Sequence, residues 1–398
     1  EVGSASHLFY ELGGELVRRG HSVSVLTGYP SYNIKTEDLP EHYRRGWWMR
    51  ESMQGMDVIR VRSIGMPRHI PVLRGLSQFT SSVTLPLGGM FLATETPDVI
   101  LVYSPPLFLG MSAFFLRFFQ RAKVVLNIQD LFPQNAIDLG LLKNGLLIRI
   151  FRAIESHLYR KADLVTVHSP GNLAHVVRCG GDPARSRVVP NLVDTEQIRP
   201  GERENAFRRN HSIDPKEFIV SFAGVIVYSQ DLDTVIDAAK LLGDLATLKF
   251  YIVGEGLEKK RLMERAAGMA NVVFLPMLPK EKYVELLHAS DLCLATLRSE
   301  VKTPVVPSKI LSIMAAGRAV VAALPMHGDA PAIIREAKCG VCVEPEDPAR
   351  LAEAIRRLYD DQASVAEFGK NGRSYVEQQC SLRVCGSLYE SLFHDLKH

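Results

Sequence analysis

Glu300 and Lys309 bracket a proline-rich turn, Glu300-Val301-Lys302-Thr303-Pro304-Val305-Val306-Pro307-Ser308-Lys309, which runs into Ile310-Leu311-Ser312-Ile313-Met314-Ala315-Ala316-Gly317. The second segment predicts a short helix beginning near Ser308-Lys309. Free N–H groups at a helix start, a serine hydroxyl and a lysine ammonium together suit a diphosphate. Glu300 suits the hydroxyls of a sugar. An exposed lysine beside a capping serine is the alternative reading of the same residues.

Gly224 follows the apolar run Phe218–Ala223 and precedes a helical pattern. A glycine there lets backbone approach a phosphate at a helix start, or is a plain turn residue. Asp231-Leu232-Asp233 has the spacing of a metal-binding D-x-D. It falls where a helix begins, however, and aspartate is preferred at that position. Capping is therefore the expected role, and no divalent metal is expected. Gly254-Glu255-Gly256 follows Tyr251-Ile252-Val253 without the third glycine of a dinucleotide fingerprint, which argues against a dehydrogenase. Neither G-x-x-x-x-G-K-[ST] nor G-x-S-x-G occurs. Cys339 and Cys342 form a C-x-x-C with no second pair to complete a zinc site, at the start of a strand following a helix, so a structural role is expected. Six cysteines in 398 residues are no disulfide framework and fit a reducing cytoplasm.

These residues need elements to hold them. Short apolar runs at 22–27, 98–103, 123–128, 163–168 and 186–190 read as strands of a parallel sheet covered on both faces, with helices between most of them. A first helix spans 4–20 and closes at Gly20. The rhythm restarts with strands at 218–223, 247–253, 271–275, 291–296, 319–323 and 340–343, and with helices at 231–243, 257–268 and 308–316. Helices follow to about 396. The polar stretch Asp194–Pro215 separates the halves, with the linker expected near 198–203. The fold class is therefore α/β with two doubly wound domains, 1–200 and 201–378. A C-terminal helix at 379–398 is a candidate to pack back on the first domain. Ligands of such sheets bind beyond the carboxyl ends of the strands, so a cleft between two such domains is expected. The chain opens directly on a helical pattern, and the first domain is expected to lack its first strand.

Net charge is only +3, so no nucleic-acid partner is expected. The first half is mildly basic and the second mildly acidic. Val99–Leu116 carries no charge over nearly the length of a membrane span, but Pro105-Pro106 divides it into a strand and a separate helix, 107–119.

In order, Glu1-Val2-Gly3-Ser4-Ala5 with Leu16-Val17-Arg18-Arg19-Gly20-His21, Val189-Pro190-Asn191-Leu192-Val193-Asp194, Phe222-Ala223-Gly224 with Gln230-Asp231-Leu232, Val253-Gly254-Glu255-Gly256, Ala289-Ser290-Asp291 and Met314-Ala315-Ala316-Gly317 resemble the retaining GT-B glycosyltransferases of family 4, the group 1 glycosyl transferases. Asp130-Leu131-Phe132-Pro133 and Pro307-Ser308-Lys309 are similar to the capsule, colanic-acid and O-antigen subgroup. The resemblance covers roughly residues 1–360. It implies two Rossmann-like domains facing across a cleft, the first binding acceptor and the second nucleotide sugar. The implied reaction is hexosyl transfer with retention from a nucleotide-diphosphate sugar to a lipid-linked oligosaccharide, without metal or cofactor. The implied catalytic set is Asp130, Glu300 and Lys309. Gly224, Gln230, Gly254, Glu255, Met277, Ser308, Lys309 and Ser312 are implied on the donor side, and Gly3 and Ser4 on the acceptor side. The chain departs from the family at two places. The family's second glutamate falls on Ser312, and its basic residue beside the glycine loop is replaced by Ser229-Gln230, which leaves Lys309 as the main phosphate cation.

Two other classes share the plan: a sugar-nucleotide epimerase and a non-catalytic sugar-binding protein. A lipid-linked acceptor implies a place at the inner face of the cytoplasmic membrane. Tyr43-Arg44-Arg45-Gly46-Trp47-Trp48-Met49-Arg50, with both tryptophans of the chain, and helix 107–119 with Arg117, Arg121 and Lys123 are the candidate peripheral contacts. Packing of the tryptophans and of that helix into the first domain is the alternative.

Overall fold

The computed structural model describes residues 4–30, 39–44, 46–62, 71–92 and 95–397. The chain divides into two compact units, Glu1–Asn191 with Leu382–His398, and Leu192–Ser381. The stretch expected to be the linker is folded into the second unit. Ile198, Phe207 and Ile213 are buried in its core, so the apolar residues of this otherwise polar segment decide where it belongs.

In the first unit, β1 (Ser24–Gly28), β2 (Trp48–Met53) and β3 (Met56–Val61) form a sheet in the order β1-β3-β2. β1 and β3 are parallel, but β2 and β3 form an antiparallel hairpin absent from the purely parallel expectation. Its two-residue turn places Gln54 at φ 51 and Gly55 at φ 78, the conformation that matches the twist of paired strands. β4 (Val99–Ser104), β5 (Lys123–Ile128), β6 (Leu164–Val167) and β7 (Ser186–Val188) form a parallel sheet in that order. The uncharged stretch 99–116 is indeed divided between β4 and the helix Leu107–Gln120. Among the described residues no helix is long and apolar enough to cross a membrane. The last helix, Leu382–Lys397, belongs to this unit. It packs on the Ser4–Arg18 helix, where Glu390 meets Arg19 at 3.0 Å and His21 at 2.9 Å.

The second unit holds one six-stranded sheet of β8 (Phe218–Ala223), β9 (Leu248–Val253), β10 (Val272–Leu275), β11 (Leu292–Thr296), β12 (Ala319–Ala323) and β13 (Gly340–Val343). The order is β10-β9-β8-β11-β12-β13 and all neighbours are parallel. Val220, Phe222, Leu292, Leu294 and Val321 face one core, and Cys293, Ala295, Val320 and Ala322 the other. Helices therefore cover both faces, which is why the strands read as continuous apolar runs. The chain reverses direction across the sheet between β8 and β11. That switch point leaves a crevice at the carboxyl ends of these two strands, where loops can surround a ligand.

Candidate functional site

The loop after β8 begins with Gly224 at φ 153, and the loop after β9 begins with Gly254 at φ 154. The two run so close that a Cβ on Gly254 would lie 1.9 Å from the Gly224 carbonyl oxygen. Gly224 N–H donates to the Val253 carbonyl at 3.0 Å. Only residues without a side chain permit this approach.

Lys309 reaches the same place from the helix Ser308–Ala315, which lacks a side-chain cap and so presents its first N–H groups. Its Nζ donates to Gln230 Oε1 at 2.8 Å and lies 3.7 Å from the centroid of the Phe222 ring. It is also 3.1 Å from where a Gly224 Cβ would stand. No carboxylate is paired with it among the described residues. Burial lowers the Lys309 pKa to about 7. Phe222, Gly224, Gln230 and Lys309 thus converge at the switch point, with exposed Ser308 beside them.

The loop after β11 carries Glu300, exposed, and is stitched to the loop after β8. Arg298 N–H donates to Ser229 O at 3.0 Å, Arg298 Nε donates to Tyr228 O at 3.0 Å, and Thr296 Oγ1 donates to Gln230 O. The Arg298 guanidinium lies 4.0 Å from the Tyr228 ring centroid and pairs with Asp233 at 3.2 Å and Glu346 at 3.0 Å.

Asp231 and Asp233 are committed to this scaffold. Asp233 takes a two-pronged bond from Arg261 at 2.7 and 2.8 Å, and that bond above all holds its carboxyl low. Asp231 stands at the start of the Leu232–Leu241 helix in a left-handed conformation and makes no side-chain cap bond. Instead it accepts the Glu346 N–H at 3.1 Å, and burial raises its pKa. This corrects the capping expectation: with Asp231 at φ 48, rather than in the extended conformation usual for a capping residue, its carboxylate bonds no N–H of the helix.

The remaining donor-side candidates are more dispersed. Glu255 is exposed and paired with Lys259 at 2.7 Å, and Lys259 also donates to the Gly254 and Leu275 carbonyls. Met277 is exposed. Ser312, one turn beyond Ser308, hydrogen-bonds Tyr283. Cys339 and Cys342 are free thiols that burial pushes up to about 12 and about 11.

In the first unit Asp130 follows β5 at its carboxyl end, with its carboxyl raised by the surrounding protein. Tyr103, at the end of β4, is pushed up to about 12 by burial and then by the Asp130 charge. Ser4 opens the first helix; Gly3 lies outside the described residues.

Phe222 and Arg298 carry no site signal in the sequence. Phe222 looks like any strand residue. Arg298 sits two before Glu300 in a loop where charge alone says nothing of partners.

The glycosyl transferases group 1 family matches residues 203–375, and the glycosyl transferase 4-like domain matches residues 3–192. The putative colanic acid biosynthesis glycosyl transferase WcaI of Escherichia coli K12 is 27% identical over 353 residues, 86% of this chain and 85% of that protein. The probable glycosyltransferase WbjE of Pseudomonas aeruginosa is 27% identical over 290 residues, 71% of each. Among solved structures, sucrose-phosphate synthase from Thermosynechococcus elongatus superposes with a TM-score of 0.78 at 17% identity, covering 99% of this chain and 94% of that one. Anabaena HepE in complex with UDP gives 0.72 at 16% identity, covering 99% and 97%.

Proposed function

The chain belongs to the glycosyl transferases of group 1, enzymes with the GT-B fold, and from that premise we propose that it transfers a sugar from a nucleoside-diphosphate sugar to a lipid-linked oligosaccharide in the synthesis of a bacterial surface polysaccharide. Membership of a transferase family sets aside the epimerase and binding-protein readings. The observation that carries the proposal is the convergence of Lys309, Gly224 and Gln230 at the switch point beside an uncapped helix start. HepE, of the same fold, is described in complex with UDP and with UDP-glucose, which supports a diphosphate at this place.

The sugar–phosphate bond breaks and the acceptor oxygen bonds the same carbon on the face the diphosphate leaves, so configuration is retained. The acceptor proton passes to the departing phosphate oxygen. Lys309, protonated, and the N–H groups of Ser308 and Lys309 hold the charge that develops there. Gly224 admits the phosphate to the backbone. Glu300 accepts hydrogen bonds from sugar hydroxyls, and Asp130, Gly3 and Ser4 serve the acceptor side. No magnesium or manganese takes part in this scheme.

Contact with the cytoplasmic face of the membrane completes the reading. Trp47 and Trp48 are 77% and 53% exposed, so they do not pack into the core. The helix Leu107–Gln120 exposes Phe115, Phe118 and Phe119, next to a cavity of about 410 Å³ lined by Phe114, Arg117, Phe118, Arg121 and Lys123. Aromatic rings beside cations suit an anionic headgroup layer.

Calorimetry with UDP and GDP, followed by transfer from a panel of labelled nucleotide sugars to lipid-linked oligosaccharide, tests the proposal. Nucleoside-diphosphate binding and transfer without added magnesium or manganese are expected. A folded protein that binds neither nucleotide overturns it.

A further inference from the structure

Glu155, His175 and Cys179 lie in the first unit, on residues the transfer reaction does not use. Glu155 projects from the Gly145–Lys161 helix and is buried. His175 and Cys179 stand one turn apart at the end of the Pro170–Arg178 helix, on one face. His175 Nε2 is 3.0 Å from Glu155 Oε1 and 3.4 Å from Cys179 Sγ. All three ligand-type atoms lie within 4.8 Å of one another.

The arrangement differs from a thiol–imidazole–carboxylate relay. A relay needs the carboxylate on one ring nitrogen and the nucleophile on the other. Here one nitrogen faces both, so oxygen, nitrogen and sulfur point toward a common centre. Ligand atoms around a tetrahedral zinc ion stand about 3.3–3.6 Å apart, given bond lengths of about 2.0–2.3 Å. Of the two histidine separations, 3.4 Å falls within that range and 3.0 Å just below it.

We propose that Glu155, His175 and Cys179 bind a zinc ion, with water in the fourth position. Thiolate, carboxylate and neutral imidazole around a dication sum to zero charge, which suits a buried place. Sulfur and nitrogen donors favour zinc over magnesium or calcium, which take oxygen. Tyr159 hydroxyl donates at 3.1 Å to Glu155 Oε1, the oxygen that also faces His175, and so orients the carboxylate. Cys179 is half-buried and leaves the ion a way in. The ion ties the Gly145–Lys161 helix to the Pro170–Arg178 helix and acts on the stability of the first unit.

Cobalt is the probe, because a thiolate bound to cobalt(II) absorbs in the near ultraviolet whatever the enzyme's activity. The full chain, stripped of metal and titrated with cobalt, is expected to bind one ion with that band and to release it to zinc. Cys179→Ser removes the band and weakens binding by about tenfold or more, while Cys342→Ser, at the other half-buried thiol, changes neither. Circular dichroism checks that Cys179→Ser is folded. Absence of stoichiometric cobalt binding overturns the proposal, as does a band that survives Cys179→Ser or disappears in Cys342→Ser. In either case the three side chains form only a buried hydrogen-bonded cluster.

Discussion

An ammonium whose neighbours are an aromatic ring, an amide oxygen and a glycine backbone carries its charge poorly, and Lys309 is in that position. Its pKa near 7 lies below the ordinary lysine value, so without ligand the amine is largely neutral above pH 7. A bound diphosphate supplies the missing counter-charge and raises the pKa again. Binding above pH 7 therefore takes up a proton. Nucleoside-diphosphate affinity is expected to be constant below pH 7 and to fall toward about tenfold per pH unit above it. Titrations from pH 6 to 9 measure this, and Lys309→Arg, which stays charged, is expected to flatten the profile. Lys309→Ala removes a charge-assisted bond of about 1.5–3 kcal/mol, a loss of about 10- to 150-fold in affinity at pH 6.5. A pH-independent wild-type affinity would show that Lys309 does not meet the phosphates. Gly254→Ala belongs to the same scale. Its methyl would collide with the Gly224 carbonyl, backbone against backbone, in a conformation that side chains rarely adopt. A stability loss of about 2 kcal/mol or more is expected in urea denaturation, with donor binding lost as well.

At the scale of elements, the loops after β8 and β11 are held together by Arg298, whose guanidinium is the shared cation of Asp231, Asp233 and Glu346. Arg298→Met leaves buried Asp231 without its nearest cation. The expected cost is about 2–4 kcal/mol, toward the lower end for buried pairs because Arg298 keeps some contact with water. Hydrogen exchange should quicken in residues 224–231 and 297–300, and nucleotide affinity should fall although Arg298 touches no phosphate in the proposed site. The helix Leu107–Gln120 has its own test. Phe118→Ser with Phe119→Ser removes exposed apolar area without disturbing the core. Flotation with anionic liposomes is expected to drop several-fold while UDP binding is unchanged. Arg50 is a poorer target, since it is engaged by Asp57 within the β2–β3 hairpin.

At the scale of the whole chain, the last seventeen residues fold with the first unit although they follow the second. Tyr389 of the Leu382–Lys397 helix accepts from Asn127 Nδ2 at 2.7 Å, and Asn127 in turn takes Gln129 Nε2 at 2.8 Å, at the end of β5 that leads to Asp130. Tyr389→Phe removes the shorter of two bonds from the buried Asn127 amide, which keeps Thr166 Oγ1 at 3.2 Å, and is expected to lower first-unit stability by about 0.5–1.5 kcal/mol. UDP affinity should not change, because the proposed phosphate contacts all lie in the second unit. Calorimetric unfolding beside UDP titration separates the two effects; a parallel loss of both would mean that the units do not unfold independently.

The sequence by itself determined the alternation of strand and helix, the parallel character of the large sheets and the family. It also pointed to Gly224 and Lys309, because apolar runs, helix starts and glycine loops are local signals. It did not reveal the β2–β3 hairpin, whose turn is Gln-Gly rather than a stronger turn pair. Nor did it show that Asp231 faces the Glu346 backbone instead of capping its own helix. Lys309 and Gln230 are 79 residues apart, Asn127 and Tyr389 are 262 apart, and Glu155 and His175 are 20 apart on two different helices. Strand order and helix packing decide which of these meet, and neither is written in any short window of residues. A side chain's chemistry is local, whereas its partner is chosen by the burial of everything between them.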